Sequence, residues 1–138
     1  MLKRKQLINL ARTRIKEARV LFEQGCYDGA YYLGGYAVEC GLKACIARFT
    51  QRHDFPDKKT VDASHVHDLV QLLTVAKLKA SLDAEKEADS KFTLNWAVVK
   101  DWTEKSRYQK NNKKAAQDLL DAIDDPTNGV LPWISRNW

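Results

Sequence analysis

Apolar residues crowd the stretch from Tyr27 to Arg48, and apolar residues recur at steps of three and four on both sides of it. The stretch reads as one helix of roughly 20 residues, about 30 Å long at 1.5 Å per residue. Asp28 is placed to cap its start, because a carboxylate can accept an orphan N–H of the first turn. Ala30, Gly34, Ala37, Gly41 and Ala44 share one stripe of small residues. Leu33, Tyr36, Cys40 and Ile46 fill the opposite positions. A helix apolar on most faces is predicted to be central and wrapped by others. Glycine inside a helix costs about 1 kcal/mol relative to alanine. Gly34, Gly35 and Gly41 therefore call for a reason, either close approach of another backbone or a kink.

The flanking pattern predicts further helices. Over residues 2–23, Leu7, Ala11, Ile15, Ala18 and Phe22 form one apolar face, and Gly25 suits the left-handed turn that ends such a helix. The short link to residue 28 makes these two helices antiparallel neighbours. The pattern then collapses into a polar loop around Pro56. Ser64 is placed to cap a third helix that buries Val66, Leu69, Val70, Leu73 and Ala76. Residues 81–90 alternate in charge and read as a short exposed helix or a connection. A fourth helix begins near Thr93 or Asn95, with Trp96, Val99 and Trp102 or Thr103 inward. Asn111 or Asn112 caps a fifth, which buries Ala116, Leu119, Leu120 and Ile123. Asp125-Pro126 closes it, since the residue before proline is pushed out of the helical region. Val130, Leu131, Trp133 and Ile134 anchor a tail that folds back. No stretch alternates as a strand does. The fold class is all-α, an antiparallel up-and-down bundle of four to five helices with short extra segments, in one domain spanning residues 1–138.

Charge adds a second layer. The 138 residues carry a net charge of +5. Residues 1–20 hold seven basic groups and one acid, residues 100–114 hold six and two, and residues 115–125 hold four aspartates and no base. Two basic segments can form a polyanion-binding face if the fold unites them; otherwise they are solvated helix faces. The charged N-terminal residues do not resemble a secretory signal. Glu39 and Lys43 would be costly in a bilayer, so a membrane role is not expected. Cys26, Cys40 and Cys45 read as reduced, small, buried side chains of a cytoplasmic protein, and they lack the paired ligand spacing that zinc needs. No metal and no cofactor is expected.

Several side chains invite chemistry. Glu39 and Lys43 are four apart on one helix face, as a satisfied pair or as part of a polar cleft. His65 and His67 are two apart and cannot chelate from a helix, so a locally bonded helix start is the simpler reading. Arg48 and His53 have the spacing R-x(4)-H, but eight arginines and three histidines in 138 residues give about half a match of this kind by chance.

The order of these motifs is that of a known family. A basic first helix and a glycine turn precede Asp28, Ala30, Ala37, Glu39, Leu42, Lys43 and Ala44, in the pattern D-x-A…A-x-E-x-x-LKA. His67 to Leu72 then give H-D-L-x-x-L. Trp102, Arg107 and Tyr108 give W…RY before the last long helix. Together they resemble the HEPN family (higher eukaryotes and prokaryotes nucleotide-binding) over most of residues 5–124. The resemblance implies a helical bundle that forms a homodimer, RNA or a nucleotide as ligand, and a minimal nucleotidyltransferase as partner in a toxin–antitoxin pair. Active members cleave RNA with R-x(4–6)-H at the entry to the last long helix. Here that position reads Arg107-Tyr108-Gln109-Lys110-Asn111-Asn112-Lys113, with no histidine. The expectation is therefore a noncatalytic domain with no catalytic residues, binding through Arg107, Tyr108, Lys110, Lys113, Glu39 and Lys43. A divergent ribonuclease toxin using Arg107 and a structural interaction module are the alternatives.

Overall fold

A computed structural model describes residues 2–52 and 58–138 of the chain. The described residues form eight α-helices and no strand, packed as a bundle. Helix α1 spans Arg4–Glu23, α2 Tyr27–Arg52, α3 Lys58–Ser64, α4 Leu69–Val75, α5 Lys79–Ala88, α6 Ser90–Val99, α7 Lys113–Asp124 and α8 Val130–Ser135. A single 3-10 turn, Glu104–Tyr108, sits between α6 and α7.

Helix α2 is the central element, against which α1, α4, α7, α8 and the 3-10 turn all pack. Ala37, Val38, Leu42, Ala44 and Ile46 are buried on it from several directions. Leu33 and Tyr36, expected in the core, are half-buried at its edge. Helix α1 turns back on α2 through Gly25, whose φ of +78° is the left-handed conformation glycine tolerates. It buries Leu7, Ala11 and Ala18 against its neighbour. Helix α7 closes the other side with Ala116, Leu119, Leu120 and Ile123. The tail folds back as α8, burying Val130, Leu131, Trp133 and Ile134. No helix among the described residues is long and apolar enough to cross a membrane. The three cysteines are free thiols; Cys40 and Cys45 are buried as expected, but Cys26, in the link between α1 and α2, is exposed.

Some local expectations change. Helix α2 continues to Arg52. Asp28 lies inside its first turn and accepts the backbone N–H of Asn111 rather than capping the helix. Ser64 ends α3 and does not start the next helix; its hydroxyl donates to the Val61 carbonyl. Asp68 caps α4 by accepting Gln71 N–H at 2.9 Å. Val70 is exposed, while Leu72 joins Leu69 and Leu73 in the core. Asp89, upstream of the expected start, caps α6 by accepting Phe92 N–H at 3.0 Å. Asn112 caps α7 by accepting Ala115 N–H at 2.8 Å.

The small-residue stripe also has a different purpose from the expected one. A Cβ on Gly34 would stand 2.6 Å from Leu120 Cδ2, and one on Gly41 would stand 3.1 Å from Ile134 Cγ2. At Gly35 it would fall within the Trp102 indole. The glycines make room for large side chains of α7, α8 and the approach to the 3-10 turn, not for another backbone.

A carboxylate–histidine–carboxylate chain beside an exposed basic turn

Glu39 lies midway along α2 with only 2% of its surface exposed. A carboxylate so deep must be paired or hydrogen-bonded to remain charged. Two groups meet it. Lys43, one turn later on the same helix, places Nζ 3.2 Å from Oε2. His67, from the link between α3 and α4, places Nδ1 3.1 Å from both carboxylate oxygens. The Asp68 cap fixes the backbone next to that histidine. On the far side of the ring, Nε2 lies 3.2 Å from Oε2 of Glu104. A chain Glu39–His67–Glu104 thus runs from the core to the surface.

His67 is therefore not the locally bonded helix start expected from its spacing. Its two partners belong to α2 and to the 3-10 turn. Because they face opposite ring nitrogens, the two carboxylates cannot converge on one ion beside the imidazole. Among the described residues, no cluster of histidine, cysteine, aspartate and glutamate is arranged to hold a metal. His53, the partner of Arg48 in the chance motif, lies outside the described residues.

The 3-10 turn carries the next layer. Trp102 is buried ahead of it and Ser106 is buried within it, so its inner side is pressed on the bundle. Its outer side presents Arg107 and Tyr108. The Arg107 guanidinium carbon lies 4.8 Å above the Tyr108 ring centroid, within cation–π range. Tyr108 is 79% exposed. Side chains three apart eclipse in a 3-10 helix, so Glu104 and Arg107 share one face of the turn. Lys105, Lys110 and Lys113 are exposed nearby in sequence. Among the described residues, no ion pair involves these three lysines or Arg107.

The fold keeps the start of the first basic segment, from Lys3 to Arg12, away from the second. Leu7 packs with Ala44 and Ala47 near the end of α2, while Asn111 is tied to Asp28 at its start. Those points are about 24 Å apart along α2. Arg4 donates to the Trp138 carbonyl at 2.5 Å, and Arg12 lies 5.4 Å over the Trp138 ring. Within one chain, then, the N-terminal basic group does not join the Arg107 region in a single groove.

The surrounding charges are structural. Arg19 of α1 donates to Asp124 of α7 at 2.7 Å and to Asp121 at 3.0 Å. Its pKa is raised, chiefly by the Asp124 hydrogen bond. Burial pushes the Cys40 thiol up to about 11 and Cys45 up to about 12, so both are protonated at neutral pH.

Of the residues singled out from sequence, Glu39 and Lys43 are brought together, and Arg107 and Tyr108 touch. Lys110 and Lys113 follow them toward α7. Glu104 and His67 were not singled out as binding groups. Their signal was indirect: an acid inside an apolar helix requires a partner, and His67 sits in a link that must pack somewhere.

An all-helical bundle with a polar cluster on its central helix and a basic turn before its last long helix defines the class of domain. The HEPN domain family model matches residues 5–131, and the chain belongs to that family. No curated protein and no solved structure compared with the chain matches it.

Proposed function

We propose that this HEPN domain is noncatalytic and binds RNA or a nucleotide at the Arg107–Tyr108 turn. The observation that carries this reading is the outward-facing cation over an exposed aromatic ring, on a stretch where Lys105, Lys110 and Lys113 make no ion pair among the described residues. Free cations attract phosphates, and an exposed aromatic ring offers a face on which a base can stack. Lys110 and Lys113 extend the phosphate track, and Glu39 with Lys43 supports the site from beneath. The proposed assembly is a homodimer in the cytoplasm, beside a nucleotidyltransferase in a toxin–antitoxin setting.

Two points support the absence of catalysis. No histidine follows Arg107 in the position where active members carry one. His67, which the fold brings to the turn, has Nδ1 hydrogen-bonded at Glu39 and Nε2 3.2 Å from a Glu104 oxygen, so both ring nitrogens already face carboxylates. A second reading, a divergent ribonuclease, draws on that same His67, because the fold brings it to the turn that carries Arg107.

The test uses the purified chain with a labelled single-stranded RNA at low salt. Binding without cleavage, weakened in Arg107→Ala, is the expected result. Cleavage lost in both Arg107→Ala and His67→Gln would establish the ribonuclease instead. Absent RNA binding with intact binding to a nucleotidyltransferase would leave a protein-interaction module.

A further inference from the structure

Helix α6 buries one side and leaves the other bare. Phe92, Trp96 and Val99 enter the core. Leu94 and Val98, one turn apart on the outer side, are 68% and 41% exposed. Large apolar side chains that stand singly on a surface need no explanation. Among the described residues, Leu94 and Val98 are the only exposed large apolar residues one turn apart on the same helix. They edge a cleft of about 570 Å3 between α6 and α7, lined also by Ala122, Pro126, Asp118 and Asp121.

The ends of this stripe carry opposite charges. Lys91, Leu94, Val98 and Asp101 are spaced three, four and three apart, which keeps them within about 80° of one another around a helix axis. The helical course runs far enough past Val99 to include Asp101. Lys100 has helical dihedrals and donates its N–H to the Trp96 carbonyl at 2.9 Å, and Trp102 N–H reaches the Val99 carbonyl at 3.0 Å. Lys91 and Asp101 are both exposed. Lys91 also pairs with Asp125 at 3.3 Å, and an ammonium has three donors to share.

Such a stripe complements itself in one orientation. Parallel contact between two copies would set Lys91 on Lys91 and Asp101 on Asp101. Antiparallel contact centred on Trp96 brings unlike charges together, because residues 91 and 101, like 94 and 98, lie equally far from residue 96. A two-fold axis then makes each contact twice. Ala97, exposed beside the stripe, has little bulk to hold the helices apart. Asp118 and Asp121 at the cleft repel a nucleic acid or an anionic membrane as occupant.

We propose that this face of α6 is an interface between two copies of the chain, paired antiparallel about Trp96, with Leu94 against Val98 and Lys91 against Asp101. This face is the surface of the homodimer proposed above, and rests on that reading. A stripe about 15 Å long on a helix about 10 Å wide covers less than the roughly 800 Å2 per partner of a stable interface. The association is therefore a micromolar one.

Sedimentation equilibrium of the purified full chain, from low-micromolar to high-micromolar concentration at moderate salt, tests the pairing. Wild type should pass from monomer to dimer and stop there, because a two-fold contact closes. Leu94→Lys should raise the dimer dissociation constant roughly tenfold or more, since the apolar contact is lost twice. Its monomer should keep the wild-type denaturation midpoint, because the side chain is exposed there. Lys91→Glu and Asp101→Lys should each raise the constant about tenfold, the scale of two exposed ion pairs reversed at once. The double variant should restore most of that loss. Within one chain the two residues stand about 15 Å apart, beyond the screening length of roughly 8 Å at physiological salt, so the rescue reports contact between copies. A wild-type dimer that withstands Leu94→Lys overturns this surface and keeps the homodimer. Weakening by Leu94→Lys with no rescue in the charge swap overturns the antiparallel pairing. A chain that stays monomeric throughout removes both the surface and the homodimer, and leaves the α6 face to a different protein.

Discussion

The Trp102 indole occupies the space that a side chain on Gly35 would need. The ring lies flat against α2 and is itself buried, so the missing Cβ of one residue sets the seat of the other. Gly35→Ala should destabilise the fold by about 1–3 kcal/mol, because overpacking forces the indole and the 3-10 turn outward. Gly41→Ala meets only side-chain atoms at 3.1 and 3.3 Å and should cost less, whereas Gly41→Leu should approach the Gly35→Ala value. Chemical denaturation midpoints check the order. Equal midpoints for Gly35→Ala and wild type would show that the indole can move without loss.

Arg19 bridges α1 to α7 through Asp121 and Asp124. Arg19→Met should cost about 1 kcal/mol or less, since the group is partly exposed and solvent screens it. The loss should shrink at high salt. A loss that does not change with salt would assign the effect to packing.

The cysteines should divide by burial. Cys26 is exposed and should react quickly with a thiol reagent, whereas Cys40 and Cys45 are buried and should react only on unfolding. Their raised pKa values also give stability a sign at alkaline pH. Below the ordinary thiol value of 9.0 the contribution is intact; it is lost as pH rises toward about 11 for Cys40 and about 12 for Cys45, because unfolded thiols ionise first. Unfolding free energy should fall in that window, and Cys45→Ala should reduce the slope.

Acid acts through a different corner. Asp125 accepts the N–H groups of Asn128 and Thr127, each at 2.9 Å, and the Asn128 bond is the main cause of its lowered pKa. Asp89 is lowered chiefly by the Phe92 N–H it caps. A lowered carboxylate contributes stability above its unfolded pKa and loses it as pH falls through the folded value. Acid titration of the fold should therefore be less steep in Asp125→Ala than in wild type. An unchanged acid limb would place the dependence elsewhere.

Salt should expose whether the Arg107 surface is a site. For single-stranded RNA, the slope of log affinity against log salt should fall by about 0.7 for each phosphate contact removed. Arg107→Ala and Lys110→Ala should each flatten it, and Lys86→Ala on α5 should not. Equal effects from all three would indicate diffuse attraction.

Periodicity alone determined the helices that carry most of the core. The stripe Ala116, Leu119, Leu120 and Ile123 is spaced so that one face must be buried, and Asp125-Pro126 must end that helix, whatever surrounds it. The motif order placed Arg107 and Tyr108 before the same helix, and the family model agrees with the resemblance it suggested. These are local facts, set by the geometry of one turn. The capping group at residue 68 and the seat of Trp102 on Gly35 needed the packed structure. So did the site's chemistry. Glu39 and His67 are 28 residues apart, and Glu104 comes from a third element. Helical spacing says which residues share a face on one element, but not which faces meet. That depends on the register of α2 against the α3–α4 link and the 3-10 turn, which only the whole core decides. The buried charge of Glu39 announced that a partner was needed; only the tertiary fold supplied His67 and, through it, Glu104.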